Sequence, residues 1–144
     1  ICGVIAARDA LGLKTEVVGV CAGRAAAYAL SFAARKSVST NAADTLADGM
    51  ACRVPHESAL PPIFAGAARV VTVSEDEIRA AMRHYFTDTH NVAEGAGAAP
   101  LAAALKERPR NAGRRVALVL SGGNVDRATF AAILAETDNR AAAE

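Results

Sequence analysis

The sequence predicts an α/β fold with a mostly parallel sheet flanked by helices. The apolar run at residues 17–20 and the β-branched residues within 69–73 are typical of strands, and they alternate with stretches whose apolar residues recur at helical spacing. Another apolar run, residues 116–120, ends in glycines and is followed by another helical pattern. Helices that alternate with strands at this spacing are typical of βαβ units, in which a helix connects two parallel strands.

Composition and charge narrow the class of protein. The 144 residues suit one domain or part of one, and a hydrophobic fraction of 52% suits a packed core. The net charge of +1 gives no electrostatic reason to bind nucleic acid or an anionic membrane. No apolar run is long enough to span a bilayer. From the charge and the lack of such a run, we expect neither a nucleic acid nor a membrane as a partner.

The cysteines and histidines predict no metal site. Cys2, Cys21 and Cys52 are odd in number and lack CxxC spacing, which is typical of free thiols in a reducing, cytoplasmic compartment. His84 and His90 do not share one helical face, and no cysteine or carboxylate cluster accompanies them. We therefore interpret both as surface or core histidines rather than metal ligands.

The first part of the chain has the order helix, strand, helix. Residues 1–11 carry apolar side chains on one face, and Gly12 is a good residue to end that helix. Residues 17–20 follow as a short buried strand, and the alanine-rich residues 25–35 as a helix that mostly faces the core.

The middle of the chain is less regular. Asp48-Gly49 indicates a turn, and residues 50–55 are compatible with a short strand or with an extended segment. The prolines that follow limit regular structure, although residues 58–66 can form a short helix that begins at them. Residues 69–73 then form a clear strand.

Two helices are predicted next. Ser74 stands three residues before Glu77, which is a capping-box arrangement at the start of the first. The second helix falls within residues 91–107 and ends before Pro109. Pro100 is unfavourable inside a helix, so the regular part either starts there or bends there.

The run at residues 116–120 is expected to be a strand covered on both faces. Ser121, Gly122 and Gly123 follow it, and Ser121 or Asn124 is a candidate cap for the last helix. Such a turn lies at the carboxyl end of a sheet, where ligands bind in open α/β folds. A plain strand-to-helix connection is the alternative, because short glycine-rich loops of this kind are common.

Glu94 is an acidic residue among small apolar neighbours. It is either a carboxylate favoured by the positive end of a helix dipole or a carboxylate that faces a cofactor. The residues alone favour neither interpretation.

Several motifs together resemble the C-terminal half of the threonine/serine dehydratase family. They are Ala47-Asp48-Gly49, residues 71–78 followed by Glu94-Gly95-Ala96-Gly97, and Ser121-Gly122-Gly123-Asn124. These enzymes depend on pyridoxal phosphate and have the tryptophan-synthase-β fold, called fold type II; serine racemases are close relatives. The resemblance implies that residues 1–136 are the C-terminal part of the catalytic domain and residues 137–144 a polar tail. The N-terminal half and the small domain are then absent.

The resemblance implies pyridoxal 5'-phosphate as the cofactor and assigns residues to it. Those residues are Ser121, Gly122, Gly123, Asn124, Gly49 and Glu94. In the family, the serine bonds the pyridine nitrogen of the cofactor. Because a hydroxyl need not protonate the ring, the ring is a weaker electron sink, which suits elimination of water. Gly49 corresponds to a glycine that borders the cofactor, and Glu94 to an acidic residue near the ring.

Other family features are missing from these residues. The lysine that joins the cofactor lies in a Ser-Phe-Lys-type motif that does not occur here, so no catalytic residue is assigned and this chain alone is expected to be inactive. The helix that opens at Ile1 corresponds to the one whose N-terminus faces the cofactor phosphate. Cys21 and Ala27 stand where some members carry acidic cation ligands, so we expect no such cation site.

The implied function is an ammonia-lyase that eliminates water and ammonia from a small β-hydroxy amino acid to give a 2-oxo acid. The resemblance also implies a homo-oligomeric parent. Two alternatives remain: a non-catalytic α/β binding module, and another family member such as an amino-acid racemase or a hydroxyaspartate dehydratase.

Overall fold

The computed structural model of the chain describes residues 1–136; the tail predicted at residues 137–144 lies outside them. The described residues form two compact units. The first consists of Ile1–Thr45 and Met50–Ser74, and the second consists of Leu46–Gly49 and the chain from Glu75 onward. None of the helices in residues 1–136 combines the length and apolar character needed to cross a membrane.

The first unit is a two-stranded parallel sheet with helices packed on it. Its elements are α1 (Cys2–Ala10), β1 (Val17–Ala22), α2 (Ala27–Ala34), α3 (Leu60–Gly66) and β2 (Ala67–Val73). In the register of the pair, Val20 lies opposite Val71. Both strands were predicted, and each extends two residues beyond the prediction. The α/β class is therefore confirmed.

The core of the first unit joins both strands to the helices. Ile5 of α1 and Ile63 of α3 are buried together with Val17 and Ala67, the first residues of the two strands. Arg8 reinforces this packing, because its guanidinium donates a 2.9 Å hydrogen bond to the carbonyl oxygen of the last residue of α3. The helix ends where predicted, since Gly12 adopts the left-handed φ of 62° that glycine tolerates.

The segment between α2 and α3 contains only short turns. Two of them are the 3₁₀ turns Asp48–Met50 and Glu57–Ala59; another 3₁₀ turn, Gly23–Ala25, precedes α2. Residues 51–55 form neither helix nor strand, so the strand alternative for residues 50–55 is wrong. The Arg53 carbonyl nevertheless accepts a 2.9 Å hydrogen bond from the Thr40 amide. This bond joins residues 51–55 to the part of the loop that directly follows α2.

The second unit is helical. Its elements are α4 (Glu75–Thr89), α5 (Gly95–Lys106), α6 (Arg108–Asn111) and α7 (Arg127–Ala135). Ile78 and Met82 of α4 and Ile133 of α7 are fully buried, as are several of the small residues of α5. Glu136, at the end of α7, accepts hydrogen bonds from Arg79 and Arg83 of α4 at 2.9 and 2.7 Å.

The helix that contains Pro100 begins before the proline, whereas one of the two predictions was a start at Pro100. α5 starts at Gly95, and its first turn is closed by a 2.9 Å hydrogen bond from the Ala98 amide to the Glu94 carbonyl. A start at Pro100 is therefore wrong. Small residues around the proline leave room for its ring, so the helix passes through it and loses one backbone hydrogen bond.

The strand predicted at residues 116–120 is not formed. Within residues 1–136 only β1 and β2 pair, and Val116, Leu118 and Val119 are 49%, 36% and 65% exposed. An apolar, β-branched composition favours an extended chain, but a strand also needs neighbours for its backbone groups and its two faces. The described residues supply no such neighbours to this segment.

The buried Cys21 provides a test of the packing around β1. Desolvation by burial raises the pKa of its thiol, whereas Cys52 is only half-buried. Because the thiolate is the reactive form, we expect iodoacetamide at pH 8 to label Cys21 more slowly than Cys52. Peptide mass spectrometry of the folded protein measures both rates, and unfolding in guanidinium should make them similar. Equal rates in the folded protein would contradict this packing.

Candidate functional site

Three segments of the second unit line one pocket. They are Leu46–Gly49, residues 94–96 and residues 124–126, together with Thr129 of α7. The pocket has a volume of about 320 Å³, near the lower end of the roughly 300–1,000 Å³ usual for small-molecule sites. A more open depression of about 410 Å³ lies in the first unit beside Arg8 and Lys14, and none of the predicted site residues lines it.

The pocket brings together half of the predicted cofactor residues. Gly49, Glu94 and Asn124 line it directly. Gly122 lies against the Glu94 carboxylate and so borders the same site. These residues come from separate parts of the chain, and Glu94 contacts both Gly122 and Asn124. Their proximity is a property of the fold; their role toward a cofactor stays a prediction.

Glu94 connects α5 to the turn at residues 122–124. Its backbone amide donates a 3.1 Å hydrogen bond to the Gly122 carbonyl. Its side-chain Oε2 accepts a 3.1 Å hydrogen bond from the backbone amide of Asn124. The carboxylate makes no capping bond to its own helix, although the residue occupies the N-cap position of α5. Glu94 thus holds the turn with both its main chain and its side chain.

The glycines of the turn permit close approach of two backbones. A Cβ on Gly97 would lie 2.6 Å from the Gly122 oxygen, and a Cβ on Gly122 would lie 2.7 Å from Glu94 Oε1. A Cβ on Gly123 would lie 2.5 Å from the Val92 oxygen. None of these glycines has a left-handed φ, so they are needed for space rather than for a sharp turn.

Ser121 directly precedes this contact. The residue is exposed and is not one of those lining the pocket. Within residues 1–136, its hydroxyl has no hydrogen-bond partner. The hydroxyl can therefore bond an external ligand without losing a bond inside the chain.

The predicted cap of α7 is wrong. Neither Ser121 nor Asn124 occupies the N-cap position, which belongs to Asp126. Asp126 Oδ1 accepts a 2.8 Å hydrogen bond from the Thr129 amide. The cap must immediately precede the first helical residue, and the helix starts later than the glycine pattern suggested. Hydrogen bonds from the side chain and then the backbone of Thr129 lower the pKa of Asp126.

His84 and His90, which were interpreted as surface or core histidines, contact residues one helical turn away. His84 Nδ1 lies 3.3 Å from Asp88 Oδ2, one helical turn away. His90 Nδ1 lies 3.2 Å from the Phe86 carbonyl oxygen. In the part of the chain that the structure describes, no three His, Cys, Asp or Glu side chains are grouped to hold a metal ion.

Sequence reasoning missed two acidic residues. Asp126 lines the pocket beside Asn124. Glu75, the first residue of α4, accepts a 2.7 Å hydrogen bond from the Leu46 amide through Oε2. The sequence placed Glu75 in a helix-start motif, and nothing in its spacing indicates a partner so distant in the chain.

Comparison with known proteins gives a consistent result. Residues 1–122 match the family model described as "Pyridoxal-phosphate dependent enzyme". The chain is 35% identical to an L-threonine ammonia-lyase of Geobacter sulfurreducens over 119 residues, which are 83% of this chain and 30% of that protein. A likeness of this extent covers nearly all of the described residues.

The chain is also similar to solved structures of a threonine deaminase and a serine racemase. A threonine deaminase from T.th. matches with a TM-score of 0.81 and 36% identity, over 87% of this chain and 46% of that one. Maize serine racemase matches with a TM-score of 0.82 and 26% identity, over 91% of this chain and 41% of that one. The chain therefore spans less than half the length of these proteins.

The contact between Gly97 and Gly122 leads to a paired test. Gly97→Ala should destabilise the protein by about 1–3 kcal/mol, since its methyl group meets a backbone oxygen that cannot move without shifting the turn. Gly3→Ala is the matched control, because Gly3 is also helical but a methyl group added there would have no atom within 4 Å.

Gly3→Ala should stabilise the protein by roughly 0.5–1 kcal/mol through helix propensity alone. Urea unfolding of the full-length protein measures both changes. A neutral Gly97→Ala would show that the two backbones are not held this closely.

The Asp126 cap predicts a pH dependence. Because its pKa is lower in the folded state, the carboxylate stabilises the fold above the unfolded-state pKa, and this contribution is lost as the pH falls through the folded-state pKa. Asp126→Asn can still cap α7 but does not titrate. We therefore expect the melting temperature of the wild type to fall more steeply than that of Asp126→Asn as the pH is lowered through this range. Parallel curves would contradict the cap, and Asp126→Ala should melt earlier than both at neutral pH.

Proposed function

The chain belongs to the pyridoxal-phosphate dependent enzyme family, and from this premise we propose that it is part of an ammonia-lyase. The intact enzyme would eliminate water from threonine, serine or a related β-hydroxy amino acid to give an enamine. Uptake of one water by the enamine, through its imine form, then releases ammonia and a 2-oxo acid. The observation that carries this proposal is the identity to an L-threonine ammonia-lyase across most of the chain.

The charges in the pocket agree with one part of the cofactor. Three acidic residues, Asp48, Glu94 and Asp126, are among those that line it, and no lysine or arginine among residues 1–136 lines it. A phosphate dianion would be repelled there, whereas a heteroaromatic ring against a glycine backbone is compatible with these groups. The residues present therefore fit the ring of pyridoxal 5'-phosphate and do not fit its phosphate.

The bound cofactor would supply electron withdrawal from the substrate Cα, which weakens the bonds to that atom. Ser121 would donate or accept a hydrogen bond at the ring nitrogen with a neutral hydroxyl. Gly49 and Gly122 would leave space beside the ring, and Asn124 would be kept in place by its bond to Glu94. Glu94 would act through the turn and through its charge near the ring.

A racemase is the second candidate, because serine racemase shares the fold over 91% of this chain. Both reactions begin at the substrate Cα. They differ in whether the β-hydroxyl leaves. The two candidates therefore need a direct comparison of products.

The experiment uses the full-length protein, purified in the presence of pyridoxal 5'-phosphate. L-Threonine and L-serine are supplied separately, and 2-oxo acid, ammonia and D-amino acid are measured. We expect equal amounts of 2-oxo acid and ammonia, with little D-amino acid. Accumulation of D-serine without 2-oxo acid would favour the racemase, and absence of both products with no bound cofactor would refute the proposal.

Ser121→Ala tests the predicted role of the hydroxyl. Loss of one hydrogen bond should lower the rate of 2-oxo acid formation roughly 2- to 10-fold and shift the absorbance of the bound cofactor. Ser37→Ala is the control, because Ser37 is an exposed serine of the first unit. Identical rates and spectra for both variants would remove Ser121 from the site.

A further inference from the structure

One wall of the pocket comes from an early part of the chain that is held by α4. Leu46–Gly49 belongs to the second compact unit, although the rest of that unit begins only at Glu75. The bond between the Glu75 carboxylate and the Leu46 amide joins residues that are 29 positions apart. At 2.7 Å it is short for a nitrogen donor, as expected when the acceptor is charged.

Packing against α5 completes the position of this segment. A Cβ on Gly95 would lie 3.0 Å from both the Ala47 Cα and the Leu46 oxygen, so the helix start rests directly on this backbone. Ala47 is fully buried. The Asp48 amide then bonds back to the Leu46 carbonyl at 3.0 Å, and Asp48 and Gly49 follow as pocket residues.

The environment of Glu75 distinguishes it from an ordinary residue at a helix start. Its Oε1 atom is buried and has no hydrogen-bond partner within residues 1–136. A buried carboxylate oxygen without a partner costs stability, whereas the next residue, Asp76, is exposed and can interact with the helix dipole without that cost. The helix start alone therefore does not account for a carboxylate at position 75.

We propose that Glu75 is a positioning residue for the pocket. By fixing the Leu46 amide, its carboxylate holds Asp48 and Gly49 where they line the site with Glu94 and Asn124. This inference rests on the proposed function for the identity of the ligand, pyridoxal 5'-phosphate. The holding of the segment itself is a property of the protein without ligand.

Hydrogen exchange tests the holding of the segment directly. In the full-length protein, Glu75→Ala should increase exchange of the amides in Leu46–Gly49 about tenfold or more, because the Leu46 amide loses its charged acceptor. Glu75→Gln keeps an acceptor oxygen and should remain within about threefold of the wild type. Asp76→Ala, the matched control on the same helical turn, should leave these amides unchanged.

Cofactor binding tests the consequence for the site. Titration with pyridoxal 5'-phosphate should give a Kd about tenfold higher for Glu75→Ala than for the wild type, with a shifted absorbance band. Glu75→Gln should restore most of the affinity. Asp76→Ala should bind like the wild type, since the Asp76 side chain is exposed and no hydrogen bond or ion pair joins it to Leu46–Gly49 within the described residues.

The two measurements separate the possible failures. Unchanged exchange in Glu75→Ala would overturn the inference, and so would faster exchange with an unchanged Kd and spectrum. If the wild type binds no pyridoxal 5'-phosphate, the proposed function fails, and the exchange data still decide whether Glu75 holds the wall. Loss of protection throughout the second unit in both Glu75 variants would show a general structural role and overturn the inference.

Discussion

The pocket depends on the contact between the first turn of α5 and the turn at residues 122–124. Glu94 makes this contact with a backbone donor and a side-chain acceptor, so the two segments are joined at two points. Glycine at positions 97 and 122 lets them approach more closely than any side chain would allow. The place of Asn124 in the pocket follows from this contact.

Two carboxylates of the second unit use the same chemistry. Glu94 and Glu75 each accept a hydrogen bond from a backbone amide far away in sequence, and the donor in each of these bonds is main chain rather than a basic side chain. A carboxylate that accepts an amide bond fixes the position of main chain rather than of a mobile side chain. Acidic residues at helix starts thus define the walls of the site as well as its charge.

The sequence predicted those parts of the fold that depend on local pattern. The strands at residues 17–20 and 69–73 and the helix end at Gly12 follow from β-branched runs and from the properties of glycine, and all three are present. The strand at residues 116–120 failed because strand formation depends on neighbours that a local pattern does not contain. The cap of α7 failed because three polar residues stood close enough to serve.

Half of the residues predicted for the site line the pocket, but the contacts that hold them there were not predictable. Motif resemblance selected Gly49, Glu94 and Asn124, which the fold brings to one pocket. The role of Glu75 depends on a contact with Leu46 that no local spacing encodes. Close approach of Gly97 to Gly122 is also a tertiary property, since the same glycines would suit an ordinary flexible loop.

The origin of the Leu46–Gly49 wall has a consequence for biosynthesis. A ribosome makes this segment well before α4 and α5, the helices on which it rests, and the residues from 124 to 129 emerge later still. The nascent polypeptide must therefore keep these four residues available until residues 124–129 have been translated. Closure of the pocket therefore depends on contacts between residues far apart in sequence, and ligand capture has to wait for them.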